Sequence, residues 1–152
     1  MTENSIHDAL VAWRAAERLW EATPTGAAGY GAATLQVVRT WLGYQEATLD
    51  PASGVFLLVV DDEHRYVAVS ESVRAALGYA PSDLIGRTIF DLTASALQAS
   101  APAEWQQFLA DGRLDGEYRL VTADHREVAV QYQARAHHPI PGFHLSRLWI
   151  EA

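Results

Sequence analysis

Apolar residues recur with two different periods along this chain, and the change of period divides it. Over residues 5–46 the spacing is helical. Ile6, Leu10, Trp13 and Trp20 line one face of a first helix, with Glu17 and Arg18 as polar flanks. Pro24-Thr25-Gly26 ends it. Leu35, Val38, Trp41, Leu42 and Gln45 fall on one face of a second helix over residues 32–46. The short loop between them predicts a helical hairpin or a bent arm. Faces carrying this much tryptophan require burial. They either pack on the chain's own sheet or form a dimer interface, for which Leu10, Trp13, Trp20, Leu35, Val38 and Trp41 are the candidates.

From Gly54 the period shortens to two. An apolar strand over Val55–Val60 breaks at Asp61-Asp62-Glu63, and an alternating strand follows from Tyr66 to Val69. Ser70 and Ser72 are candidate caps of a short helix, Val73–Leu77, which Gly78 can close with positive φ. Pro81 starts another helical turn and Gly86 permits a sharp bend. A longer helix over residues 103–110, or 95–110 at its widest, carries Trp105, Phe108 and Leu109 on one side and stops at Asp111-Gly112. Three further runs, 117–122, 127–136 and 143–150, read as strands with period-2 alternation. Tyr118 and Leu120 oppose Glu117 and Arg119; Val128, Val130, Tyr132 and Ala134 oppose Ala129, Gln131, Gln133 and Arg135. Such runs predict an antiparallel sheet with one buried face. With a joint at Asp50-Pro51-Ala52-Ser53, the chain reads as a helical arm over 1–50 and an α+β domain over 51–152.

Four stretches of that domain resemble the PAS domain family. They are VFLLVVDDEHRYVAVS, then SESVRAALGYAPSDLIGRTIFDL, then the hairpin DGEYRLVTADHREVAVQYQARA, and a short closing strand. Gly78-Tyr79 and Leu84-Ile85-Gly86 are specific in combination. Ser70 stands where the family often has Asn, and His125 replaces a common Gly, which predicts a different or strained turn. The resemblance implies a five-stranded antiparallel sheet with short helices on one face, and a role in sensing or connecting. It also implies a space between sheet and helices that holds a small ligand when core side chains do not fill it. Phe90, Trp105, Phe108, Leu109, Tyr118, Tyr132 and His144 are the candidate walls. The chain shows no Asp-x-Thr coupling linker after the last strand, so signalling is expected in trans, to a separate partner protein.

Composition narrows the chemistry. The net charge is −8, and every basic residue is Arg. The absence of Lys excludes a Schiff-base or P-loop lysine. The acidic balance argues against nucleic acid or an anionic membrane as partner. There is no Cys, which excludes disulfides, thiolate nucleophiles, flavin–cysteinyl photochemistry and thioether chromophores. No apolar run is long enough to span a bilayer and the N-terminal residues do not form a secretion signal, so a cytoplasmic location is expected.

Haem-binding relatives supply a histidine from the long helix, but none lies there; His144 is the best remaining ligand, followed by His137 and His138. Adjacent His137 and His138 point to opposite faces of a strand, so no metal site is expected. Asp61-Asp62-Glu63 reads as a solvated turn. Gly26, Gly29 and Gly31 lack the preceding strand of a phosphate loop, and no nucleophile elbow surrounds a serine. The expected function is a dimeric sensor or interaction module that binds a small apolar ligand, not an enzyme. A constitutive dimerisation scaffold with a filled core is the alternative. An enzyme of a cone-shaped α+β fold trails, because Tyr118, Tyr132 and His144 have no clear acidic partner.

Overall fold

Two aromatic pairs set the first unit. The computed structural model describes residues 3–151, and these form two compact units that divide between Ser53 and Gly54. In the first unit, helices α1 (Glu3–Glu21) and α2 (Tyr30–Ala47) form a hairpin. Trp13 stacks on Tyr44 with ring centroids 5.5 Å apart, and Trp20 stacks on Tyr30 at 6.4 Å. The end of α1 therefore meets the start of α2, an antiparallel arrangement. The Trp20 indole N–H donates to Thr34 Oγ1 at 2.9 Å, which satisfies the polar tip that tryptophan brings into an apolar contact. Gly29, with φ of 89°, turns the chain into α2 two residues ahead of the sequence expectation. No helix among the described residues is long and apolar enough to cross a membrane.

The second unit is α+β. Strands β1 (Phe56–Asp61), β2 (Tyr66–Val69), β3 (Arg113–Val121), β4 (Glu127–Arg135) and β5 (Phe143–Ile150) form one antiparallel sheet in the order β2-β1-β5-β4-β3. The first and last strands are therefore neighbours, with Phe56 opposite Leu148 and Val60 opposite His144. β1 is buried on both faces from Phe56 to Val60, as its unbroken apolar run requires. Short helices α3 (Val73–Leu77) and α4 (Pro81–Leu84), two single 3₁₀ turns and the longer α5 (Ala101–Asp111) connect β2 to β3. The core joins Phe56, Val73, Leu77, Leu84, Leu92 and Val130, all at most 2% exposed.

Local chemistry corrects three expectations. Neither Ser70 nor Ser72 makes a side-chain cap to α3. Instead the buried Ser70 Oγ accepts the Leu57 N–H at 2.8 Å, while the Ser70 N–H donates to the Leu57 carbonyl at 3.0 Å. The hydroxyl stands in for a backbone acceptor where β2 leaves β1. Ser70→Ala orphans a buried N–H, so a loss of about 1–2 kcal/mol is expected in urea unfolding; an unchanged midpoint would show that the bond is dispensable. Residues 95–97 are a 3₁₀ turn rather than the first part of α5, which starts only at Ala101 with Pro102 in its first turn. β3 begins at Arg113, not at residue 117, because Gly116 pairs with Tyr132 and the strand continues through it. A Cβ on Gly116 would lie 3.6 Å from the Tyr132 ring, an ordinary van der Waals contact, so the ring covers this glycine without requiring it.

The β3–β4 turn bears the strain expected of His125, whose φ is 64°. The Thr122 hydroxyl donates to Asp124 Oδ1 and accepts the Arg126 N–H at 3.0 Å, while Arg126 Nε donates to Asp124 Oδ2 at 2.8 Å. The Thr122 bond, followed by Arg126, holds the Asp124 carboxyl below the usual carboxylate range.

Candidate functional site

Strand alternation places Leu58, Tyr118, Tyr132 and Leu148 on the sheet face that looks toward α5, and α5 turns Trp105 and Phe108 back toward it. These surfaces do not close completely. A cavity of about 120 Å³ lies between them, with every strand contributing to its wall. Most of the wall is apolar; the polar tips belong to Tyr66, Trp105, Tyr118, Tyr132, Ser146 and Glu104.

The Thr93 hydroxyl lies 2.9 Å from the Ile89 carbonyl and 3.0 Å from the Tyr118 hydroxyl, and either hydroxyl can be the donor in the second contact. Burial raises the pKa of all three phenols. Tyr66 is pushed up by desolvation, with Tyr118 and Asp91 adding to it. Tyr132 rises to about 12 through desolvation and then the charge of Glu104. In Tyr118 desolvation outweighs the Thr93 hydrogen bond, and Glu104 adds to the rise. All three are neutral at physiological pH.

Of the expected walls, Trp105, Phe108, Tyr118 and Tyr132 line the cavity. Phe90, Leu109 and His144 lie beside it. Phe90 and Leu109 pack on the core, and the Phe90 ring sits 4.4 Å from the His64 ring. His144 is 1% exposed and meets Trp105 and Phe108 edge-on at 5.5 and 5.9 Å. Sequence reasoning missed Tyr66, Glu104, Leu114 and Ser146; strand alternation for Leu114 and Ser146, and proximity to Trp105 on α5 for Glu104, were the available signals. In the helical unit, Val38 and Trp41 are buried within the single chain and Leu10, Leu35, Trp13 and Trp20 are partly buried, leaving Val11 and Leu19 as its exposed large apolar residues among those described.

A second cluster was not legible at all. His137, His144 and Asp62 bring three ligand atoms within 4.8 Å of one another. His144 Nδ1 accepts the His137 N–H at 3.0 Å, and His137 Nδ1 accepts the Gly142 N–H at 2.9 Å. With both Nδ1 atoms accepting, each neutral ring carries its hydrogen on Nε2, and His144 Nε2 donates to Asp62 Oδ1 at 2.8 Å. A metal held through Nε2 would need the opposite tautomer, and one held through Nδ1 would have to displace the backbone N–H groups of His137 and Gly142. The trio is thus a hydrogen-bonded latch that ties the β1–β2 turn to β5. Burial pushes the His144 pKa down, against the opposing pull of Asp62. Desolvation followed by Arg135 lowers that of His138.

The latch also corrects the haem expectation. Both His144 nitrogens are occupied, and the cavity beside it falls well short of the roughly 300–1,000 Å³ of pockets for larger ligands. No cation lines the cavity to meet a propionate. These residues do not fit a porphyrin.

No curated protein matches the chain. Among solved structures, a PAS domain of a protein from Colwellia psychrerythraea superposes with a TM-score of 0.60 at 14% identity. The match covers 70% of this chain and 94% of that one, a likeness of fold. A PAS fold family model matches residues 66–140, from β2 to the loop before β5. With the sheet order and the placement of helices between β2 and β3, that match shows that the chain belongs to the PAS domain family.

Proposed function

We propose that this chain is a PAS sensor whose input is a small apolar molecule held between the sheet and α5. Domains of the family are sensory and interaction modules in general. The observation that carries the ligand reading is the cavity of about 120 Å³, walled by aromatic and aliphatic side chains with a few polar tips. An apolar void of roughly 150 Å³ is known to take benzene, so a ligand in this smaller space is limited to about one ring. Occupancy changes signalling only through differential affinity for two arrangements of the domain. The wall spans all five strands and α5, so a ligand contacts both layers and favours the arrangement in which they are closest.

Ser146→Leu tests this reading. Ser146 lines the cavity from β5 and is half-buried, so the larger side chain fills the void without displacing a fully packed residue. Titration of the whole chain with toluene, followed by ligand-observed NMR, is expected to show saturable binding that weakens at least about tenfold in the variant. No binding to either protein would favour the constitutive scaffold, in which the space is merely imperfect packing.

A further inference from the structure

We infer that the cavity selects a small organic cation, a protonated amine carried on one ring or a compact alkyl body. This rests on the ligand-binding reading above and adds the chemistry of the ligand.

Charge comes first. Glu104 is the one charged residue in the cavity wall. It stands in the first turn of α5, half-buried, and its charge reaches the hydroxyls of both Tyr118 and Tyr132. No arginine contributes to the wall, so an anionic ligand would bring a second negative charge into a site with nothing to balance it. A ligand ammonium at the mouth meets the carboxylate there and stays partly in water, which limits its desolvation cost.

The hydrogen-bonding groups allow it. The Glu104 carboxylate only accepts, while the hydroxyls of Tyr66, Tyr118, Tyr132 and Ser146 can accept as well as donate. A carboxylate is matched by a donor, and an ammonium offers three hydrogens. The walls supply the remaining attraction. Trp105 and Phe108 lie with centroids 5.7 Å apart, and Tyr118 and Tyr132 stand edge-to-face at 6.1 Å, so π-faces and ring edges surround the void from helix and sheet. Aromatic walls of this kind attract cations as well as apolar bodies. The volume limits the body to about one six-membered ring, and the net charge of −8 draws cations toward the protein.

Three probes of one shape separate the possibilities: benzylamine, toluene and benzoate, titrated into the whole chain at neutral pH by ligand-observed NMR. Benzylamine is expected to bind at least about fivefold tighter than toluene, and benzoate weakest. Glu104→Gln is expected to erase the advantage of benzylamine over toluene. Raising the ionic strength, which needs no variant, is expected to weaken benzylamine and spare toluene. Equal binding of benzylamine and toluene, tighter binding of benzoate, or an unchanged preference in Glu104→Gln would overturn the cation inference while leaving the cavity reading intact. Failure of all three probes to bind would remove both.

Discussion

Replacing His144 with alanine is expected to lower the stability of the PAS unit by about 3 kcal/mol, a fall in melting temperature of roughly 12–24 °C. Three losses add. The ring is 1% exposed and packed edge-on against Trp105 and Phe108, so its removal leaves a void. The His137 N–H loses its acceptor Nδ1, and Asp62 loses the Nε2 donor. The last loss is small, because the Asp62 side chain is 64% exposed and water replaces the bond; Asp62→Asn alone is expected to cost less than about 1 kcal/mol. A His144→Ala protein that unfolds within about 1 kcal/mol of the parent would mean that the latch contributes nothing.

The same ring gives the domain an acid limit. Burial holds its folded pKa below the unfolded value of about 6.5, so the native state binds fewer protons than the unfolded chain as pH falls. The stability due to neutral His144 is fully present above that unfolded value. It is lost as pH drops through and below about 6.5 toward the folded pKa, at no more than about 1.4 kcal/mol per pH unit. Urea midpoints measured downward from neutral pH should fall faster in the parent than in His144→Leu. Parallel curves would sink the assignment.

How much of this was legible depended on distance along the chain. Period-2 runs placed β4, β5 and the inward set Tyr118, Tyr132 and Ala134, since alternation is a local property. Helical spacing put Trp105 and Phe108 on one side of α5, and the two together outlined the cavity. Alternation gives the face of a residue but not what covers it. His144 and Ser146 share a face of β5, yet Trp105 and Phe108 close over His144 while Ser146 opens on the void. The latch was invisible because it joins Asp62 to His144 across 82 positions, through a loop in which His137 takes a φ of 53°. Ser70 misled for a related reason. A serine before a helix is usually its cap, and only the register of β1 against β2 shows that the oxygen serves Leu57 instead.

Trp105→Ala is expected to destabilise the domain by about 4 kcal/mol, and free indole is expected to restore much of that loss. Trp105 is 8% exposed, lines the cavity and takes the edges of both His64 and His144, at 5.7 and 5.5 Å. In the same ring cluster, His64 Nδ1 is buried without a hydrogen-bond partner among the described residues. Removing the indole joins its volume to a space that exists beforehand. A core that collapsed freely would close over both. The five strands and α5 that surround the space resist collapse, because each is fixed by its own ladder or helix. Indole at a hundred times its dissociation constant stabilises by roughly 2.7 kcal/mol, visible as a rise in melting temperature that the parent does not show. A large loss without rescue would mean that the wall falls inward when one residue is removed, leaving the domain no fixed space in which a ligand could act.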